Sequence, residues 1–158
     1  MGLGLMFGLT SCTVVPGGAI GLTVDASGQL MAVVQMCKGR IDGATVYVSA
    51  NAPDNEQTLG KWQVDPAVTG FSQFGFAKGG SGWQVDQAFT PRDVPTVYAI
   101  YGWSKDNSWS ANHLDFSNAD ISKLQPDKIL YPAFNGTEAL ITGSVEDFKT
   151  AVCKQNWG

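Results

Sequence analysis

Charge is what this chain has least of. Only 15% of its 158 residues are Asp, Glu, Lys or Arg, and no basic residue precedes Lys38. With a net charge of -4 and no cluster of Lys or Arg, nothing here forms the basic face that binding to a phosphate backbone needs, so nucleic acid is excluded as a partner. Histidine is equally scarce. A histidine-based triad or a two-histidine metal site would have to rest on His113 alone, and neither a Gly-x-Ser-x-Gly elbow nor a His-Glu-x-x-His helix occurs. Gly79-Gly80-Ser81-Gly82 lacks the Lys-Ser/Thr of a phosphate loop and reads as a hairpin loop. Asp54-Asn55-Glu56 and Asp106-Asn107 lack the alternating spacing of a calcium loop and read as turns. The chain is therefore expected to carry no cofactor and no metal, and not to be an enzyme. Internal repeats and low-complexity segments are absent as well.

What is present is apolar and rich in glycine. Hydrophobic residues make up 44% and glycines number 19, a composition of short strands and many turns, and the length fits one domain. Ile20 to Val24 and Gln29 to Cys37 form a predicted hairpin around Asp25-Ala26-Ser27-Gly28. Its second strand is apolar on both faces and Cys37 points away from Leu30 and Val34. After the turn residues Asp42-Gly43, Ala44 to Ala50 alternates as a half-buried strand, followed by a polar loop from Asn51 to Thr58. Leu59 to Val64, Gly70 to Phe76, Gly82 to Phe89, Thr96 to Trp103, Ala111 to Phe116 and Lys128 to Tyr131 are further strands, divided by breakers such as Asp65-Pro66, Gly79-Gly80 and Pro91 to Pro95. Asn118 to Leu124 forms a helical plug. Ser144 caps a final helix, with Asp147 closing the box and Val145, Phe148 and Val152 along one stripe. Strands at this spacing predict a mainly β protein, a single β-sandwich, immunoglobulin-like or barrel-like, over residues 19–158, with a short C-terminal helix.

The N-terminus carries a different signal. Gly2 to Gly8 is apolar and leads into Leu9-Thr10-Ser11-Cys12, which resembles a bacterial lipobox, where a signal peptidase cuts before the cysteine and a lipid is attached to it. Only the first eleven residues are suited to a bilayer, too few to span one. On this reading 1–11 is the remnant of a signal peptide and 12–18 a lipidated cysteine with a Pro-Gly-Gly tether. The alternative is a buried strand through Leu3, Leu5, Met6 and Phe7, with Cys12 a core thiol. Together with Val24-Asp25-Ala26-Ser27-Gly28 ahead of a strand ending at Cys37, and Leu124-Gln125-Pro126-Asp127 before a short strand, the motif is similar to the small actinobacterial lipoproteins of uncharacterised function. That resemblance implies attachment to the extracytoplasmic face of the membrane and carries over no activity. With Cys12 given to lipid, Cys37 and Cys153 remain as a pair that an oxidising compartment allows to bond; otherwise they are two buried thiols.

Five tryptophans are the feature with most functional pull. Tyr101, Trp103 and Trp109 flank the polar stretch Ser104-Lys105-Asp106-Asn107-Ser108, close in sequence to Asn112 and His113, and rings among hydrogen-bonding groups suit a sugar or a protein partner. Trp103, Trp109, Asp106 and His113 are the candidate ligand residues. For Trp62 and Trp103 a place in the core, the commoner fate of Trp in a small sandwich, is the favoured reading. The expectation is a lipid-anchored envelope domain with a binding or structural role, with an envelope protein or a glycan as partner. A carbohydrate-binding module is the alternative, and an exported hydrolase built on unrecognised Asp residues the third reading.

Overall fold

The structure is a computed structural model that describes residues 14–49 and 57–158. Residues 1–11, read above as a signal remnant or a buried strand, together with Cys12 and most of the polar loop after Ala50, lie outside the described residues. In chain order the elements are β1 (Val15–Val24), β2 (Leu30–Met36), β3 (Ile41–Val48), β4 (Thr58–Val68), β5 (Phe71–Gly75), β6 (Trp83–Gln87), β7 (Val97–Trp103), β8 (Trp109–Ser117), α1 (Asn118–Ser122), β9 (Ile129–Pro132), β10 (Leu140–Gly143) and α2 (Val145–Cys153). The protein is mainly β, with one sheet nearly closed into a barrel and a short C-terminal helix, in the barrel-like form of the expected class.

The hairpin of β1 and β2 turns where the sequence says it should. Asp25 Oδ1 accepts the Ser27 and Gln29 amides, each at 2.9 Å, while Gly28 takes φ +83°, a conformation that a Cβ disfavours. The sheet runs β10-β9-β1-β8-β7-β3-β4-β6, with β2 on the other edge of β1 and β5 beyond it. All pairings are antiparallel except β1 with β8. The sheet curls until β5 meets β6, where Trp83 stacks on Phe74 at 4.1 Å and its Nε1 donates to Ser72 Oγ at 2.9 Å. Trp62, Phe74, Phe76, Trp83, Phe89, Tyr98 and Phe116 are buried together inside with the aliphatic residues of β1, β2, β3 and β7. These side chains fill the interior of the barrel.

A second, smaller core lies on that outer wall. Helix α2 lays Phe148 and Val152, both fully buried, against Ala19, Val33, Ile129 and Tyr131. Its start is the predicted capping box: the Asp147 amide donates to Ser144 Oγ and the Ser144 amide to Asp147 Oδ2, both at 3.0 Å. Cys37, just past β2, and Cys153, the last residue of α2, are bonded with their Cα atoms 5.5 Å apart.

Several boundaries differ from the sequence reading, each for a physical reason. Val15 to Gly18, expected as tether, belongs to β1. Gly17 and Gly18 are not breakers there but points of close approach, since the Gly17 carbonyl accepts the Cys37 and Lys38 amides at 2.8 and 2.9 Å and a Cβ on Gly17 would meet the Lys38 carbonyl. Strand β4 runs through Asp65-Pro66, which occupies an irregularity where Ile41 pairs with Val68 but Gly43 already pairs with Gln63, a place where proline removes no ladder bond. Asp42-Gly43 is mid-strand in β3 rather than a turn. The plug helix α1, capped by Ser117, ends at Ser122 rather than at the expected Leu124. Strand β10 was not anticipated: Leu140-Ile141-Thr142-Gly143 is too short to show a period.

Candidate functional site

The predicted ligand residues are gathered by one hairpin. Trp103 ends β7 and Trp109 begins β8, so Trp109 is a strand residue and not a loop residue, and Trp103 pairs with Ser110. The five residues between them are tightly closed. The buried Ser104 hydroxyl accepts the Trp109 amide at 3.0 Å and donates to the Trp109 carbonyl at 2.9 Å, and Asn107 takes φ +55°, a position that Asn tolerates better than most residues. Asp106 belongs to this turn. Its Oδ1 accepts the Ser108 hydroxyl and amide at 2.6 and 3.1 Å, and its Oδ2 accepts Arg40 at 2.8 Å. The Ser108 bonds above all, with a smaller effect of Arg40, hold its carboxyl down to about 2. Asp106 thus fixes the loop and does not line the groove beside it.

Trp103, Trp109 and His113 do line that groove, together with Tyr47, Tyr101, Asn107 and Asn112, around a volume of about 420 Å³ on the outer wall. Tyr47 and Tyr101 meet edge to face at 5.8 Å. On the other side of Tyr101 and Trp103 a second hollow of about 440 Å³ is lined by Thr45, Thr58, Lys61 and Lys105, and the two hollows share Tyr101, Trp103 and Asn107. Trp103 is oriented by its Nε1, which donates to Thr45 Oγ1 at 3.0 Å, and Lys61 Nζ lies 5.5 Å from its ring. Both indoles are half-buried.

Glycine explains how they lie. Gly43 pairs directly with Trp103, and a Cβ there would collide with its Cζ2, Cε2 and Cη2 atoms. Gly39, with φ +65°, has the same relation to Trp109, whose Cδ2 a Cβ would strike first. Cδ2 is a ring-fusion carbon bonded to three ring atoms, so an atom that close must lie over the face of the ring. Each indole rests one side on bare backbone. Sequence reading found the tryptophans but missed this floor, because Lys38-Gly39 and Asp42-Gly43 look like turn punctuation. It also left Tyr47 and Lys61 out of the site. The signal available for Tyr47 was its alternation with Val46 and Val48 in β3, which puts it on the outer face.

No protein-family model, no curated protein and no solved structure matches the chain. Function is therefore a question for the chemistry of its surfaces. A larger open hollow, about 1080 Å³, lies between the β7–β8 end of the barrel and β10, lined in part by Arg92, Asp115, Asp120 and Glu138. Two of these have partners: Asp120 Oδ2 accepts the Ser117 amide and hydroxyl at 2.8 and 2.9 Å, and Arg92 donates to Gln57 at 3.2 Å. It offers no exposed ring. Among the described residues, no three His, Cys, Asp or Glu side chains are grouped to hold a metal ion, and no helix is long and apolar enough to cross a membrane.

Proposed function

We propose that the protein is a ligand-binding domain of the cell envelope, held at the extracytoplasmic face by a lipid on Cys12, and that its ligand is a glycan bound in the outer-wall groove. The observation that carries this reading is the pair of indoles lying on Gly39 and Gly43. A ring backed by glycine offers its other side as a rigid platform, which suits the apolar face of a sugar ring, while Asn107, Asn112 and His113 supply hydrogen bonds at the rim. No Asp or Glu is among the described residues lining either hollow, which favours binding over glycoside hydrolysis, since hydrolysis uses two facing carboxyl groups. The Cys37–Cys153 bond supports an oxidising compartment.

Two measurements test the parts separately. Trp109→Ala should leave the near-ultraviolet circular dichroism native-like and weaken glycan binding about thirtyfold, the effect of about 2 kcal/mol lost with a central aromatic anchor. Unchanged affinity would move the site elsewhere, and a protein captured where no glycan binds would make the occupant a protein. Membrane fractionation of the chain, expressed with a complete signal peptide, should place the wild type in the membrane and Cys12→Ala in the soluble fraction. Equal partitioning of the two would remove the anchor.

A further inference from the structure

We infer that the groove takes an acidic saccharide, one whose sugar rings stack in the first hollow while a carboxylate or phosphate group enters the second. This rests on the glycan reading above and specifies its ligand class. The chain as a whole is acidic, at -4, yet the described lining of the two hollows carries no carboxylate and two lysines. Both cations are on the same side of Trp103, for Lys61 and Lys105 line the second hollow and neither lines the first. Charge is therefore segregated along the groove: rings, amides and imidazole at one end, ammonium groups at the other.

The nearby carboxylates have other partners. Asp106 is occupied by Ser108 and Arg40, and Asp42 Oδ2 accepts the backbone amide of Lys105 at 2.8 Å, a bond that fixes where the Lys105 side chain departs. Neither lysine belongs to an ion pair among the described residues. The Lys61 ammonium lies 5.5 Å from the Trp103 ring centre, so an anion bound to it is beside the stacking platform. Because Tyr101, Trp103 and Asn107 belong to both hollows, a single saccharide can touch both. An exposed ammonium adds modestly to affinity but discriminates by charge, and the effect is screened by salt.

The test is an array of purified oligosaccharides in matched neutral, uronate-bearing and phosphate-bearing forms, probed with the full chain in 50 mM and 500 mM salt. The expected result is about tenfold tighter binding of an acidic form than of its neutral counterpart at low salt, shrinking at high salt. The double variant Lys61→Gln, Lys105→Gln should bind acidic and neutral forms equally, whereas Trp109→Ala should weaken the binding of both forms about thirtyfold. Whether uronate or phosphate is preferred identifies the source of the anion. Equal binding of neutral and acidic forms, or a preference that survives the double variant, overturns the inference and leaves the glycan reading standing. Binding of no saccharide of any kind overturns both.

Discussion

Replacing the bridging cysteines together, Cys37→Ser with Cys153→Ser, is expected to lower the unfolding free energy by about 4 to 5 kcal/mol. The bond joins residues 116 positions apart, and in the chain-entropy description a cross-link of about that span removes this much freedom from the unfolded state. With a urea dependence of about 2 kcal/mol per molar, the midpoint should fall by about 2 M. The native fold should survive, because α2 keeps its own purchase through Phe148 and Val152. A nine-residue helix has little stability alone, so its amides should be the ones whose hydrogen exchange accelerates most. An unchanged midpoint would mean that the bond constrains nothing the rest of the fold does not already hold. Free thiols in a non-reducing peptide map of exported protein would remove the bond altogether.

That staple also shows where the sequence speaks plainly. Two features of α2 are local, the Ser144–Asp147 box and the Phe148–Val152 stripe, and both are found in the structure. The β1–β2 turn is local too, since Asp25 and Gly28 close it within five residues. The pairing of Cys37 with Cys153 followed from counting, given the assignment of Cys12 to lipid, rather than from any local pattern. Errors gather where a glycine or proline serves a contact distant in sequence. Gly17 and Gly43 read as breakers because their local chemistry is that of turns, yet each is inside a strand, admitting the Lys38 carbonyl in one case and the Trp103 ring in the other. The Pro66 position reads the same way, and β4 itself carries it in a bulge opposite Asp42 of β3.

The site was half legible for the same reason. Trp103 and Trp109 stand out by residue type, but which side of the sheet each ring faces depends on the partner strand across from it, and no local pattern reports that. Asp106 looked like a ligand because it is an exposed carboxylate beside rings, whereas Ser108, two residues on, shows it to be a turn former. Trp62 and Trp103 were equivalent in sequence. In the fold they are opposites: Trp62 faces inward from β4 and is fully buried, while Trp103 lies half-exposed on the outer wall.

That contrast yields the second large effect. Trp62→Ala is expected to cost about 3 to 5 kcal/mol, the usual range for deleting a large buried ring, and to lower the melting temperature by about 10 °C. Two losses combine. The ring packs against Phe74 at 5.2 Å and Phe76 at 4.8 Å, and it fills the space that Gly60 leaves open, so its removal opens a cavity among aromatic neighbours that are too rigid to collapse into it. The indole Nε1 also donates to the Phe76 carbonyl at 3.1 Å in a buried setting, and an orphaned acceptor there costs about 1 to 3 kcal/mol, partly overlapping the packing loss. Trp62→Phe separates the two, because it keeps most of the ring volume and deletes the donor; it should cost about half as much. The corresponding change on the outer wall, Trp103→Ala, should cost far less stability and weaken ligand binding instead. Similar stability losses at the two positions would contradict the assignment of one indole to the core and the other to the groove.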